Sequence, residues 1–265
     1  MVRTMHTWWY RTFPRLTFLA RRIAGANYER EMELLDVLCD PTRTGIDIGA
    51  KVGMYTYRIR AHSSDVIAFE PIPLFHNMLK AVFEGKRGHI EPVAVSSTHG
   101  KAVLRMPFDQ TDSPQFGRST IDQGNALTHH QVARTEELEV ETRTIDEYKI
   151  PNVGFIKIDV EGHEVSVLDG AAQTIDAHKP NLLIECNDDH QENGRAKLAD
   201  WLRARGYDAV FVVGRDLVSI DKYDRAEHWD KHTIENFICI HSSRPEVRER
   251  LEAKVRIAKM GAVAR

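Results

Sequence analysis

Two acids and two glycines early in the chain have the types and spacing to grip a small ligand. The run Thr44-Gly45-Ile46-Asp47-Ile48-Gly49-Ala50-Lys51-Val52-Gly53 reads as an apolar strand ending at Asp47, a tight turn at Gly49 and a helix opening near Val52. Glycine reaches left-handed dihedrals and lets backbone approach a ligand closely. An Asp-x-Gly-x-x-x-Gly turn departs from the dinucleotide fingerprint, where a pyrophosphate needs bare amides and no second anion beside them. Asp47 suits a ligand with a positive amino group, such as the methionine end of S-adenosylmethionine. Glu70, in Ala68-Phe69-Glu70-Pro71, ends the next strand, where an acid accepts both hydroxyls of a ribose. Ala94 and Val95, closing the third strand, would flank an adenine, and Ala50, Lys51, Tyr55 and Pro71 complete the expected cofactor set.

Further acids follow later strands. Asp159 closes the strand over 153–158, and Glu185-Cys186-Asn187-Asp188-Asp189-His190 closes the one after it. Clustered acids beside a histidine could hold a divalent metal through oxygen ligands. Crowded acids after a strand are more often solvated loop or cap residues, so no metal is assigned, while Glu185 and Asn187 are candidates for holding an acceptor. Arg118-Ser119-Thr120 could close over a ligand, which adds Ser119 to the substrate set, and His129-His130 fits an exposed loop.

Positioning these groups requires strand tips gathered at one edge. Short apolar strands at 45–48, 65–69, 90–95, 153–158, 182–186, 209–213 and 236–240 alternate with helical stretches, which implies parallel pairing with right-handed crossovers. The expected fold is a doubly wound, mostly parallel seven-stranded α/β sheet with helices on both faces, and such sheets bind ligands beyond the carboxyl ends of their strands. Residues 41–242 would form this domain, with 107–137 as an irregular substrate or lid loop and 243–265 as a helical tail. Residues 1–40 form a separate helical segment. Its first 28 residues hold Arg3, Arg11, Arg15, Arg21 and Arg22 but no acid, and Met5, Trp8, Trp9, Phe13, Leu16, Leu19 and Ile23 recur near helical spacing, with Pro14 as a break. Such a helix either packs its aromatics on the domain or rests on anionic lipid. The Pro14 break and the overall charge favour packing.

The 265 residues are 42% hydrophobic and 28% charged, with a net charge of −3, an ordinary balance for a globular chain and not that of a basic nucleic-acid binder. Cys39, Cys186 and Cys239 show no CxxC pairing, so a reducing cytoplasm is expected. No window approaches the length of a membrane span and no signal-peptide core is present, which leaves at most a peripheral contact with the inner face of a membrane.

The segment Phe155-Ile156-Lys157-Ile158-Asp159-Val160-Glu161-Gly162-His163-Glu164, followed by Val167-Leu168-Asp169-Gly170-Ala171, is more specific. Together with residues 47–56, Phe69-Glu70-Pro71 and the lead-in Thr144-Ile145-Asp146-Glu147-Tyr148, it resembles the FkbM-type methyltransferase family over roughly residues 42–242. The family's usual asparagine in the first motif is Lys51 here, which could meet a cofactor carboxylate or point to solvent. The resemblance implies a Rossmann-like class I fold, S-adenosylmethionine as cofactor and methyl transfer to a hydroxyl on a sugar, glycan or glycosylated natural product. A sulfonium already leaves readily, so the protein must mainly align the acceptor. A hydroxyl also gains from a base. Asp159 would orient cofactor or acceptor, and Glu161 or His163 would be the base, although Glu161 and Glu164 could equally cap the next helix. Two other classes stay open: a nucleotide-dependent oxidoreductase, disfavoured by Lys51 where the dinucleotide fingerprint has glycine, and a non-catalytic membrane-surface module working through residues 1–28.

Overall fold

The computed structural model describes residues 5–26, 28–85, 87–127, 132–231 and 234–257; His129 and His130 lie outside them. Eleven strands are described: β1 (Thr44–Ile48), β2 (Asp65–Phe69), β3 (Gly88–Glu91), β4 (Ala94–Val95), β5 (Gly100–Phe108), β6 (Arg134–Arg143), β7 (Val153–Ile158), β8 (Asn181–Glu185), β9 (Tyr207–Val213), β10 (Asp216–Ser219) and β11 (Asn236–His241). The helices are α1 (Met5–Thr12), α2 (Pro14–Ile23), α3 (Leu35–Leu38), α4 (Met54–His62), α5 (Pro73–Phe83), α6 (Glu164–Asp169), α7 (Ala172–His178), α8 (Gly194–Arg203), α9 (Arg225–His228) and α10 (Pro245–Ile257).

Eight strands form the main sheet in the order β10-β9-β11-β8-β7-β1-β2-β3. β3, β2, β1, β7 and β8 pair in parallel, and β11 then runs antiparallel to both β8 and β9. The sheet has one strand more than the seven expected, because β10 turns back from β9 through Gly214, whose φ is +59°. Its sequence, Asp-Leu-Val-Ser, is too short and too polar to stand out in a sequence. Neighbouring residues of the strands feed two cores. Phe155, Leu183, Val210 and Ile238 face one, while Ile156, Ile158, Leu182, Phe211 and Phe237 face the other. Helices α2 to α5 and α10 cover the first face and α6 to α8 the second, which is the doubly wound arrangement.

Two expectations are corrected. Residues 90–95 are not one strand: β3 ends at Glu91, Pro92 has no amide to continue the ladder, and Ala94–Val95 crosses to a three-stranded sheet beside β6. The irregular segment is narrower than 107–137, since β5 reaches Phe108 and β6 starts at Arg134; the two pair antiparallel throughout. The helical stretch after β7 falls into two pieces, α6 and α7, on either side of Gly170, where a Cβ would run into the Ser96 carbonyl.

The N-terminal segment does break at Pro14 into α1 and α2, and both lie against α5. Packing uses only part of its apolar set. Tyr10 meets Phe75 at 5.8 Å and Phe18 meets Phe83 at 5.2 Å between ring centroids, but Trp8, Trp9, Phe13, Leu16, Leu19 and Ile23 remain exposed. The expectation that the aromatics pack on the domain therefore fails for most of them; the side chain of Met5 is not described. Cys39, Cys186 and Cys239 are free and buried. No helix among the described residues is long and apolar enough to cross a membrane.

Candidate active site

Parallel strands that all end at one edge bring their terminal residues together. Asp47 is the penultimate residue of β1, Glu70 follows β2, Asp159 follows β7, and Glu185 ends β8. Strand order reverses between β1 and β7, the switch point at which open α/β sheets bind ligands.

The turn after β1 is held from within. Gly49 and Ala50 both donate their amides to the Phe69 carbonyl, at 3.0 and 3.1 Å, and Lys51 donates its amide to Glu70 Oε2 at 2.7 Å. Glu70 Oε1 accepts from the Ile72 amide at 2.7 Å. These amides are spent inside the protein, so the turn is no anion cradle of the kind a pyrophosphate uses. Gly49 has φ +81°, and a Cβ there would strike the Asp159 carbonyl, so glycine is needed for the close approach of β1 to β7. Gly53, also left-handed at φ +83°, faces Leu79 and Phe83 of α5. It opens α4 by packing and does not line the cleft expected of it.

Three connected spaces lie along this edge. A cleft is bounded by Glu70, Pro71, Ala94, Val95 and Ser119, above an apolar floor that includes Phe69 and Ile72. A neighbouring space contains Asp47, Ala50, Tyr55, Lys157 and Glu29, and it shares Gly49, Lys51 and Asp159 with the cleft. A wider trough has Glu185, Asn187, His190, Glu235, Trp229, Tyr10, Arg21 and Arg118 along it. It meets the first cleft at Lys51, Phe116, Gly117 and Glu161. Asp47 and Glu70 thus occupy adjoining compartments with a common wall.

Both acids are almost completely buried. Burial raises Asp47 to about 6 although Thr56 donates its hydroxyl to Oδ2, and raises Glu70 to about 7 against the pull of its two backbone amides. Lys157, with a 1% exposed side chain, lies between acids: its ammonium is 3.6 Å from Glu185 and 3.9 Å from Asp159. Burial alone would lower its pKa, but Asp159, Glu185, Glu29 and Asp47 outweigh that and keep it charged. Glu29 reaches the same group from the N-terminal segment, accepting from Tyr55 Oη at 2.8 Å and from Asn236 Nδ2 at 3.0 Å.

Glu161 stands where cleft and trough meet, at φ +55°, with His190 Nδ1 3.1 Å from its Oε2. Burial first, then Asp159 and Glu235, raise its pKa well above the ordinary value. His163 is elsewhere. Its Nε2 is 2.9 Å from Ser96 Oγ and its Nδ1 3.6 Å from Asp122, and it borders none of the three spaces. Burial lowers its pKa despite Asp122. Of the loop acids after β8, Asp188 pairs with Arg195 and Asp189 with Arg225. Carboxylate oxygens of Asp159, Glu161 and Glu185 lie within 4.8 Å of one another, a spacing that could enclose a cation, but the Lys157 ammonium already stands against two of the three. Ser119 lines the cleft and Arg118 the trough, while Thr120 exchanges backbone hydrogen bonds with Arg105 of β5.

Sequence reasoning missed Glu29, Lys157 and Glu235, and it weighed His190 only beside the acids that could hold a metal. Lys157 stood inside the quoted signature and had a signal, as a lone lysine in an otherwise apolar strand. Glu29 and Glu235 had none, because only folding brings them to the edge.

A doubly wound sheet with acid-tipped parallel strands and an antiparallel return at β11 is the Rossmann-like fold of class I methyltransferases. The methyltransferase FkbM domain matches residues 47–209, and the chain belongs to that family. It is 23% identical over 176 residues to hexuronic acid methyltransferase AglP of Haloferax volcanii, covering 64% of this chain and 69% of that protein. Among solved structures it is similar to methyltransferase FkbM from Methylobacillus flagellatus, at 16% identity and a TM-score of 0.48, covering 76% of this chain; it spans only 44% of that protein's length. It is also similar to SMU.1697c from Streptococcus mutans in complex with SAH, at 10% identity and a TM-score of 0.42, covering 79% and 94% of the two chains.

Proposed function

We propose that the protein transfers a methyl group from S-adenosylmethionine to a hydroxyl of a sugar, glycan or glycosylated natural product. The observation that carries this reading is the pair of buried acids, Asp47 and Glu70, in adjoining compartments around a turn whose amides are engaged internally. Such a turn suits a ligand with hydroxyls at one end and an amino acid at the other, and it offers a pyrophosphate nothing. The chain's own residues fit the cofactor on this count. Glu70 would accept the ribose hydroxyls, and the apolar floor with Ala94 and Val95 would face the base. Ser119 Oγ, buried without a hydrogen-bond partner, borders the same cleft. Asp47 and Glu29 would take the amino group, and Lys51 or Lys157 the carboxylate. When bound, the cofactor supplies an electrophilic methyl on a sulfonium.

The acceptor would lie in the trough. Its ring-bearing walls at Tyr10, Phe75, Phe116 and Trp229 and its carboxylates at Glu185 and Glu235 suit a hydroxylated ring. Glu161, at the junction, would take the hydroxyl proton in its ionised form, which the raised pKa makes a stronger base. His190 would orient Glu161, and Asp159 and Lys157 would set the local charge. Similarity to a hexuronic acid methyltransferase supports a sugar acceptor. Buried free thiols fit a reducing cytoplasm.

Titration calorimetry with S-adenosylhomocysteine, followed by mass spectrometry of candidate sugars incubated with the protein and S-adenosylmethionine, tests this in two stages. Retention of NAD with no binding of S-adenosylhomocysteine would defeat the cofactor assignment. Binding without methylation of any hydroxylated acceptor in a broad panel, together with methylation of an amine, would defeat the acceptor class.

A further inference from the structure

We infer that α1 and α2 form a docking surface for an anionic lipid bilayer. The described residues expose nine large hydrophobic side chains, and six of them are Trp8, Trp9, Phe13, Leu16, Leu19 and Ile23. They form one continuous feature. Trp8, Trp9 and Phe13 cluster with centroids 5.0 to 5.7 Å apart at the corner between the helices. Leu16, Leu19 and Ile23 follow at i, i+3 and i+7 along α2, on the side opposite buried Phe18.

The outward face is not a frayed end. Arg15 Nε donates to the Ala81 carbonyl at 2.9 Å, and Arg22 lies over the Tyr57 ring and donates to its hydroxyl. Arg21 donates to Tyr10 Oη at 2.7 Å. Thr17 Oγ1 ties the corner to the Trp9 carbonyl at 3.0 Å. These bonds commit the buried side to α4 and α5 and leave the aromatic side facing out, at a cost in exposed apolar surface that a partner must relieve.

Charge identifies the occupant. Residues 1–28 hold five arginines and no acid, on a chain of net charge −3. Arg11, Arg15 and Arg22 lie on the same two helices as the exposed apolar side chains and are themselves exposed, Arg15 and Arg22 also bonding to Ala81 and Tyr57. Tryptophan, phenylalanine and leucine bordered by arginine is the composition that settles in an anionic headgroup layer. A second copy of the chain meeting this face about a two-fold axis would set the same arginines against each other.

Flotation of the full chain with vesicles of phosphatidylcholine alone, or with added phosphatidylglycerol, tests the inference. Binding should require phosphatidylglycerol and weaken with salt. Arg11→Ala should lower partitioning about fivefold. The triple variant Trp8→Ser, Trp9→Ser, Phe13→Ser should lower it roughly a hundredfold or more while melting like the parent, since all three side chains are exposed. Absence of flotation with the anionic vesicles, or equal flotation of parent and triple variant, overturns the inference. So does a parent that sediments as a dimer, becomes monomeric in the triple variant and ignores vesicles.

Discussion

Glu70→Gln separates ligand binding from turn formation within one side chain. The carboxylate accepts two backbone amides at 2.7 Å, from Lys51 and Ile72. Glutamine keeps one acceptor and turns an amino group toward the other amide, which leaves a buried donor unmatched at about 1–3 kcal/mol. The same change removes the ionised acceptor for two ligand hydroxyls, at a further cost of about 2–3 kcal/mol, or about 30- to 150-fold in Kd. Calorimetry with S-adenosylhomocysteine at pH about 8 reads the second cost and thermal melting reads the first. The pH dependence adds a sign. The free protein holds Glu70 at about 7, so below that pH the carboxyl is protonated and must lose its proton to accept both hydroxyls. Parent affinity should fall by up to about tenfold per unit as pH drops below about 7, while the variant stays flat. A variant that melts earlier yet binds with unchanged Kd would show that Glu70 only shapes the turn, and the cofactor assignment would lose its main support.

Glu161→Gln should cut kcat by about 10²- to 10⁴-fold with little change in cofactor affinity, whereas His163→Asn should leave kcat nearly intact; a loss of that size in His163→Asn with kcat kept in Glu161→Gln would return the base to His163. Lys157→Met removes the buried ammonium from Asp159, Glu185 and Glu29 and should cost about 3–5 kcal/mol in urea unfolding at pH about 8, but less near pH 5, where Glu185 and Glu29, whose pKa values burial raises, take up protons. An unchanged unfolding midpoint would show that the acids do not depend on it. Glu70, Glu164 and Glu235 sit at about 7 in the folded protein against 4.5 when free, and Glu161 and Glu185 lie well above that value. The folded state therefore holds more protons than the unfolded state once the histidines, whose ordinary value is 6.5, have titrated. Stability of the ligand-free protein should fall as pH rises from about 6.5 to 8. A melting temperature that climbs over this interval would contradict the burial of these acids.

Local pattern was enough for the parallel core, because each buried strand is a short apolar run bounded by turns and each tip carries its acid in sequence. Asp47, Glu70, Asp159 and Glu185 could be placed at one edge from chain order alone. Residues whose position depends on tertiary contact could not. Glu29 reads as one acid before a short helix, and only the packing of residues 30–38 brings it to Tyr55 and Asn236. His163 lies two residues after Glu161, yet the left-handed pair Glu161 and Gly162 turns the chain so that the glutamate faces the cleft and the histidine faces Ser96. Gly53 matched a ligand motif and proved to be a packing glycine, which spacing cannot reveal.

Where each part of the site comes from explains what its chemistry can vary. The turn at Gly49, Glu70, Asp159 and Glu161 lies within residues 47–209, the region that matches the family, and rests on paired strands. Strand pairing fixes those groups to one another, so they are suited to a ligand that never changes. The trough is finished by Tyr10, Arg21, Trp229 and Glu235, all outside that region and carried on helices and loops. Glu235 still feels the common acids: burial and then Asp159 raise it to about 7, so its charge depends on what occupies the edge beside it. An acceptor placed against Glu235 would thus be sensed by the same buried charges that would hold the cofactor, and replacing Trp229 or Glu235 should change which acceptor is used before it changes how tightly the cofactor binds.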